Sequence, residues 1–249
     1  MDCVFRGNTA QMFGVGDITV DRCIFTNNAI SVSLFWDDSN GNSRNSIVRN
    51  SLYAYNHQPL RPAGARFENC TVVGNAGGVF IDSNSGSVFV NCYIGGNTNM
   101  SVRLSEYRGN ANFGYYRSYW SGEALTAQFS ATNCVIEGGH ELETANTAEF
   151  FDLFEHPQAE NCLAVTDLVE QKGPGFIDPA NGNWRLSRKS PLRDAGIHRS
   201  WMDSSSRDLD GNARKIDIYG KEFSAAALPD IGCYECDRAR GMGMRLFVR

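Results

Sequence analysis

Asn69-Cys70-Thr71-Val72 is followed, twenty-two residues on, by Asn91-Cys92-Tyr93-Ile94, and this recurrence decides the fold. The same frame accepts Asp2-Cys3-Val4-Phe5, Arg22-Cys23-Ile24-Phe25, Asn133-Cys134-Val135-Ile136 and Asn161-Cys162-Leu163-Ala164, with Asn50-Ser51-Leu52-Tyr53 and Asn112-Phe113-Gly114-Tyr115 as variants. Key positions then fall at 3, 23, 51, 70, 92, 113, 134 and 162, spaced by 20, 28, 19, 22, 21, 21 and 28 residues. A repeat of about 21 residues, apolar and polar by turns around a small residue, is the signature of a β-solenoid. One turn is too small to bury its own core, but stacked turns bury a continuous one.

The period-2 rule points the key residue inward together with the residue two places later, which is Phe5, Phe25, Tyr53, Val72, Ile94, Tyr115 or Ile136. Five places after the key position stand Asn8, Asn28, Asn56, Asn75 and Asn97, after which the series lapses to Ser118, Gly139 and Asp167. Recurring Asn suits turns with left-handed backbone, and stacked amides can hydrogen-bond along a column. Eight turns at the inter-strand spacing make a column of about 35–40 Å.

The cysteines of the ladder read as small buried hydrophobes. Strands about 4.8 Å apart hold neighbouring Cβ atoms slightly too far apart for an unstrained disulfide. Free thiols are therefore expected at Cys3, Cys23, Cys70, Cys92, Cys134 and Cys162. Cys233 and Cys236 supply only two ligands, so a local disulfide or two idle thiols is a better reading than zinc.

The final quarter loses the repeat and gains Pro and Gly, as expected of a cap closing the open end of a solenoid. Residues 1–172 are assigned to the turns, 173–236 to the cap and 237–249 to a tail. Met1 leads at once into a repeat unit with no leader segment, so the start of the protein is expected to lie elsewhere. A net charge of −5 and the lack of any Lys/Arg-rich block argue against nucleic acid, and no apolar run is long enough to span a membrane. A monomer is expected.

Repeats of the form Asn-Cys-x-apolar resemble those of the pectate-lyase-like superfamily. Gly175-Phe176-Ile177-Asp178-Pro179, Asn183-Trp184-Arg185-Leu186, Ser190 to Gly196, Asp208 to Arg214 and Asp230 to Glu235 resemble the C-terminal region of bacterial surface β-helix proteins. Cys233 stands where that family often has alanine. The resemblance implies an all-β fold, a right-handed parallel β-helix of about eight turns with an irregular C-terminal cap. It also implies a secreted or cell-surface protein that handles polysaccharide.

Two functions follow as expectations. One is a polysaccharide-binding or adhesin-like structural protein; the alternative is a polysaccharide lyase or glycoside hydrolase acting on an acidic polysaccharide, and the residues leave enzyme status open. Asp82 and Arg103, one period apart, are the candidate catalytic pair, with His57, Arg61 and Arg66 from the preceding turn and Arg108 from the next. A lyase needs a base for the proton α to a uronate carboxylate and a cation for the developing charge; the competing reading is a surface ion pair. Trp36, Tyr116 and Trp120 are candidate platforms for sugar rings. The reading calls for no obligatory cofactor, and calcium at Asp208 and Asp210 is the one ion considered. The other Asp and Arg residues of the C-terminal region read as internal hydrogen-bond anchors. In the acidic stretch 137–160, Phe150, Phe151 and Phe154 suggest a short helix packed on the column.

Overall fold

A computed structural model describes residues 3–9, 18–29, 46–62, 64–81, 86–98, 107–116, 129–140, 142–143, 150–155, 159–215 and 227–236. Two six-stranded parallel sheets dominate these residues, and neither closes on itself. The first contains β1 (Cys3–Arg6), β3 (Cys23–Thr26), β5 (Leu52–Ala54), β7 (Thr71–Val73), β10 (Tyr93–Gly95) and β14 (Val135–Ile136), in that order. The second contains β2 (Thr19–Asp21), β4 (Ile47–Arg49), β6 (Arg66–Glu68), β9 (Ser87–Val90), β13 (Phe129–Thr132) and β17 (Ala159–Glu160). Each second-sheet strand but β17 runs into a first-sheet strand, an arrangement compatible with a solenoid-like fold.

The corner between the two sheets explains the repeat. The residue before six of the eight key positions is left-handed: Arg22, Asn50, Asn69, Asn91, Asn133 and Asn161 all have φ between 50° and 55°. Asn visits that region at lower cost than most side chains, which is why it recurs there. The key residue closes the corner by donating back to the carbonyl two residues earlier. Cys23, Cys70, Cys92, Cys134 and Cys162 bond to Asp21, Glu68, Val90, Thr132 and Glu160 at 3.3–3.5 Å, and Ser51 bonds to Arg49 at 2.6 Å. A small side chain with one donor is what this bend accepts. A second left-handed residue ends each strand, at Gly7, Asn27, Tyr55, Gly74, Gly96 and Gly138.

The register aligns Cys3 with Cys23, Ile24 with Leu52, Leu52 with Thr71, Thr71 with Tyr93 and Tyr93 with Val135. Phe25, Tyr53, Val72, Ile94 and Ile136 are buried in one core with Phe67, Phe89 and Phe129, and Phe5 packs against it. Rings follow the ladder: Phe5 on Phe25 at 4.8 Å, Phe25 on Tyr53 at 4.5 Å and Phe67 on Phe89 at 5.1 Å, close to the strand spacing. Burying each such side chain contributes about 1.5–3 kcal/mol.

Four expectations are corrected. Phe113 does not lead a ladder strand, because β10 pairs directly with β14. It belongs to β12 (Phe113–Tyr116), which pairs in parallel with β8 (Val79–Ile81) and antiparallel with β11 (Tyr107–Gly109). Asn112 instead accepts from Asn97 and so extends the amide ladder. Cys162 precedes no strand: Leu163–Lys172 is helix α1, whose Thr166 hydroxyl accepts the Ile136 N–H at the last rung. Phe150 and Phe151 form β16, antiparallel to β15 (Leu142–Glu143), and a single 3-10 turn (Leu153–Glu155) follows.

The fourth correction concerns the C-terminal region, which lies along the side of the first sheet rather than over its end. Outward residues Leu52, Ala54, Val73, Tyr93 and Val135 form a second core with Trp184, Leu186, Leu192, Ile231, Cys233 and Tyr234. The corner Asn side chains hold it: Asn69, Asn91 and Asn133 donate to the carbonyls of Asp230, Ile197 and Ala195. Gly232, at φ 97°, comes so close that a Cβ would stand 2.6 Å from the Thr71 hydroxyl. An outward apolar face on the ladder thus dictates a lateral cover.

Candidate functional site

Where the C-terminal region meets the second-sheet corners, the chain forms a cleft of about 330 Å³. Asp21, Arg22, Arg49 and Asn50 line one side, from the corners after β2 and β4; Trp201, Ser205, Ser206 and Arg207 line the other. The second wall is a loop tied by Asp203, whose carboxylate accepts the Ser205 N–H at 2.8 Å and the Ser205 hydroxyl at 2.6 Å. These bonds hold the Asp203 carboxyl below its ordinary value. The Ser206 hydroxyl accepts the Asp203 N–H and donates to the Trp201 carbonyl, at 3.0 and 2.9 Å.

The charge behind the cleft is unusual for an acidic chain. Glu68 is 2% exposed, and its carboxylate is faced by three guanidiniums: Arg49 at 2.9 Å, Arg199 at 3.3 Å and Arg66 at 3.9 Å. One carboxylate cannot neutralise three cations. His198 reports the same field: its pKa is held below the ordinary value by burial and then by the Lys215 and Arg199 charges. The Arg49 guanidinium lies 4.6 Å above the Trp201 ring, so positive charge and an aromatic face share one wall.

Two polar atoms in this lining have no hydrogen-bonding partner among the described residues, Asn50 Oδ1 and Trp201 Nε1. Asn50 is 1% exposed, and its amide nitrogen is committed to Asp21 Oδ1 at 2.8 Å. A buried acceptor and a buried donor left open beside a cleft are costly unless something binds there.

A larger cleft of about 530 Å³ lies between β18–β19 (Phe176–Asp178, Asn183–Leu186) and the chain around Asp210 and Glu235. Its Arg185, Asp210 and Glu235 charges are matched internally. Arg185 grips Asp210 through Nε at 2.5 Å and a second nitrogen at 2.6 Å, with its guanidinium 5.1 Å from the Tyr234 ring. Buried Arg214 pairs with Glu235 at 3.0 Å.

The described residues place only some of the expected site residues. Asp82, Arg103, Trp36 and Trp120 lie outside the described residues, and Tyr116 and Arg108 are placed only as parts of β12 and β11. His57 is exposed. Arg61 lies 5.2 Å from the Phe80 ring, whereas Arg66 faces Glu68. Asp208 accepts the Glu235 and Asn212 N–H groups, both at 2.7 Å, as a structural anchor does, while Asp210 belongs to Arg185. Reading the sequence passed over Trp201, Arg49 and Arg207. The one available signal was Arg22, a cation at a corner where Asn is the rule. No family model matches the chain, and no curated protein is found to match it.

Proposed function

We propose that this chain is a right-handed parallel β-helix that binds an acidic polysaccharide in the Trp201 cleft, in a secreted or cell-surface setting. The observation that carries the reading is the coincidence of three features at one cleft: a Trp face, the three guanidiniums gathered on Glu68 behind it, and the open pair Asn50 Oδ1 and Trp201 Nε1. Sugar rings present C–H faces that pack on an aromatic plane, hydroxyls that bond to amides, and in uronates a carboxylate that suits guanidinium.

The test is binding of polygalacturonate, alginate and hyaluronate oligomers, with neutral dextran as control, by calorimetry at two salt concentrations. Acidic chains should bind in preference to dextran, and Trp201→Ala should weaken binding at least about tenfold, as expected for a stacked ring in a binding core. Arg207→Ala should weaken it further at low salt than at high salt. Equal binding of dextran, or indifference to both substitutions, overturns the reading. Appearance of unsaturated products or new reducing ends during the incubations would turn binding into catalysis.

A further inference from the structure

A second cluster lies away from that cleft and owes nothing to the polysaccharide reading. Beyond the last rung of the ladder, the turn ending at His140 meets the 3-10 turn and helix α1. His140 Nδ1 stands 2.8 Å from Asp152 Oδ2, and Nε2 stands 3.1 Å from Asp167 Oδ1. The other oxygen of Asp152 accepts the Phe154 N–H at 2.8 Å, and the Phe154 ring packs edge-on against the imidazole at 4.9 Å. Asp152 is thereby held against Nδ1, and in the neutral tautomer that donates to it the Nε2 lone pair faces a second carboxylate oxygen.

A neutral imidazole has one donor and one acceptor, so it cannot donate to both carboxylates. Two acceptors held 3.1 Å apart repel each other unless a cation stands between them. Asp167 and Glu170 are three residues apart on α1 and share a face, and one ligand atom from each of His140, Asp167 and Glu170 lies within 4.8 Å of the others. Glu170 Oε1 accepts the Gly138 N–H at 3.0 Å, which brings its carboxylate to the turn that carries His140.

We propose that His140, Asp167 and Glu170 bind a divalent transition-metal ion, Zn²⁺ foremost, with Asp152 as the positioning residue for His140. A carboxylate behind a ligating histidine fixes tautomer and ring orientation in such sites. Ligands at about 2.0–2.1 Å around a tetrahedral ion stand a little over 3 Å apart, and the Nε2–Oδ1 separation matches. Imidazole among the ligands selects zinc over calcium or magnesium. Three protein ligands leave one position for water. The ion ties α1, which covers the last rung, to the turn that leaves β14, so binding stabilises that end of the column.

The competing cation is a proton. Asp152 first, and Asp167 after it, raise the imidazole's proton affinity, and Glu170 adds a third carboxylate on the helix side. Two measurements separate the cases. Titrating metal-free full-length protein with ZnCl₂ at pH 7.5 should show one saturable site, with the thermal midpoint rising as it fills. Affinity should fall at least about tenfold in Asp167→Asn and be lost in His140→Ala. Nitrogen NMR of the imidazole should show an Nε2 resonance that shifts on adding zinc. Zinc binding undiminished in both variants overturns the proposal. So does an imidazole still doubly protonated at pH 7.5 that zinc in excess does not displace.

Discussion

Asn56 and Asn75 share one carboxamide oxygen between two donors: Asn75 Oδ1 accepts the Asn56 N–H and the Asn56 side-chain amide, each at 2.9 Å. Asn56 in turn accepts the same pair from Asn28 and donates to the Phe25 carbonyl at 3.0 Å. The motif repeats from Asn8 to Asn112, so each middle rung satisfies its neighbours on both sides. Asn75→Ala would strand two buried donors of Asn56 and take the side-chain donor from the buried Tyr53 carbonyl, while Asn97 Oδ1 keeps the backbone N–H of residue 75. We expect a loss of about 2–4 kcal/mol in urea unfolding. A loss below 1 kcal/mol at Asn75 would show that the ladder is not a principal support.

Tyr53 carries the opposite defect. Its ring is stacked in the aromatic column, but its hydroxyl is buried with no partner among the described residues, and burial pushes its pKa up. Tyr53→Phe keeps the stack and removes the unsatisfied group. The variant should be more stable by about 1 kcal/mol, seen as a higher urea midpoint at unchanged slope. A destabilised variant would mean that the hydroxyl has a bonding partner in solution.

The ladder was legible because its physics is local. A left-handed residue followed by a small donor is needed at these corners, so Asn-Cys recurs at four of the six. The same residue type misled at Asn112, since Asn serves two roles: left-handed corner at Asn91, amide rung at Asn97. Nothing in a one-dimensional pattern tells the two apart, so Phe113 was read as a key position. The side cover was misplaced for a related reason. Loss of the repeat and gain of Pro and Gly mark a different packing unit, but the outward apolar residues Leu52, Val73, Tyr93 and Val135 were the clue to where it docks. The cleft and the His140 cluster were invisible because their parts come from distant segments. Trp201 meets Arg49, and His140 meets Asp167, only after folding.

The thiols report whether the ladder is closed in solution. All eight cysteines are free; Cys3 is half-buried and the other seven are buried. Burial holds Cys70 and Cys134 well above the usual thiol range and pushes Cys233 up to about 12, so little thiolate is present at these three at pH 8. Native protein treated with a disulfide reagent should label at Cys3 alone on the timescale of minutes, and at all eight sites in denaturant. Rapid native labelling at Cys92 or Cys134, or any cross-link between ladder cysteines, would refute the packed column.

Asp230 gives a pH dependence whose sign runs against the usual one for a carboxylate. Its oxygens accept the Asp194 and Cys236 N–H groups at 2.7 and 2.6 Å, which favours the anion. Burial outweighs these bonds and raises the pKa from 3.8 to about 6. The folded state therefore holds the proton more tightly than the unfolded chain. The resulting stability is fully present below about pH 4 and is lost as pH rises through 6. Between pH 7 and pH 5 the gain from this one group is about 1 kcal/mol. Buried Glu235 is raised for the same reason and adds in the same direction, whereas His198, held low, opposes it. The clean measurement is a difference: urea unfolding at pH 5, 6 and 7 for the native sequence and for Asp230→Asn. The substitution should lower stability at every pH, since one backbone N–H loses its acceptor, and the change between pH 7 and pH 5 should shrink by about 1 kcal/mol. Parallel pH profiles for the two proteins would place the Asp230 carboxyl near its ordinary value and remove burial as the governing force at this position.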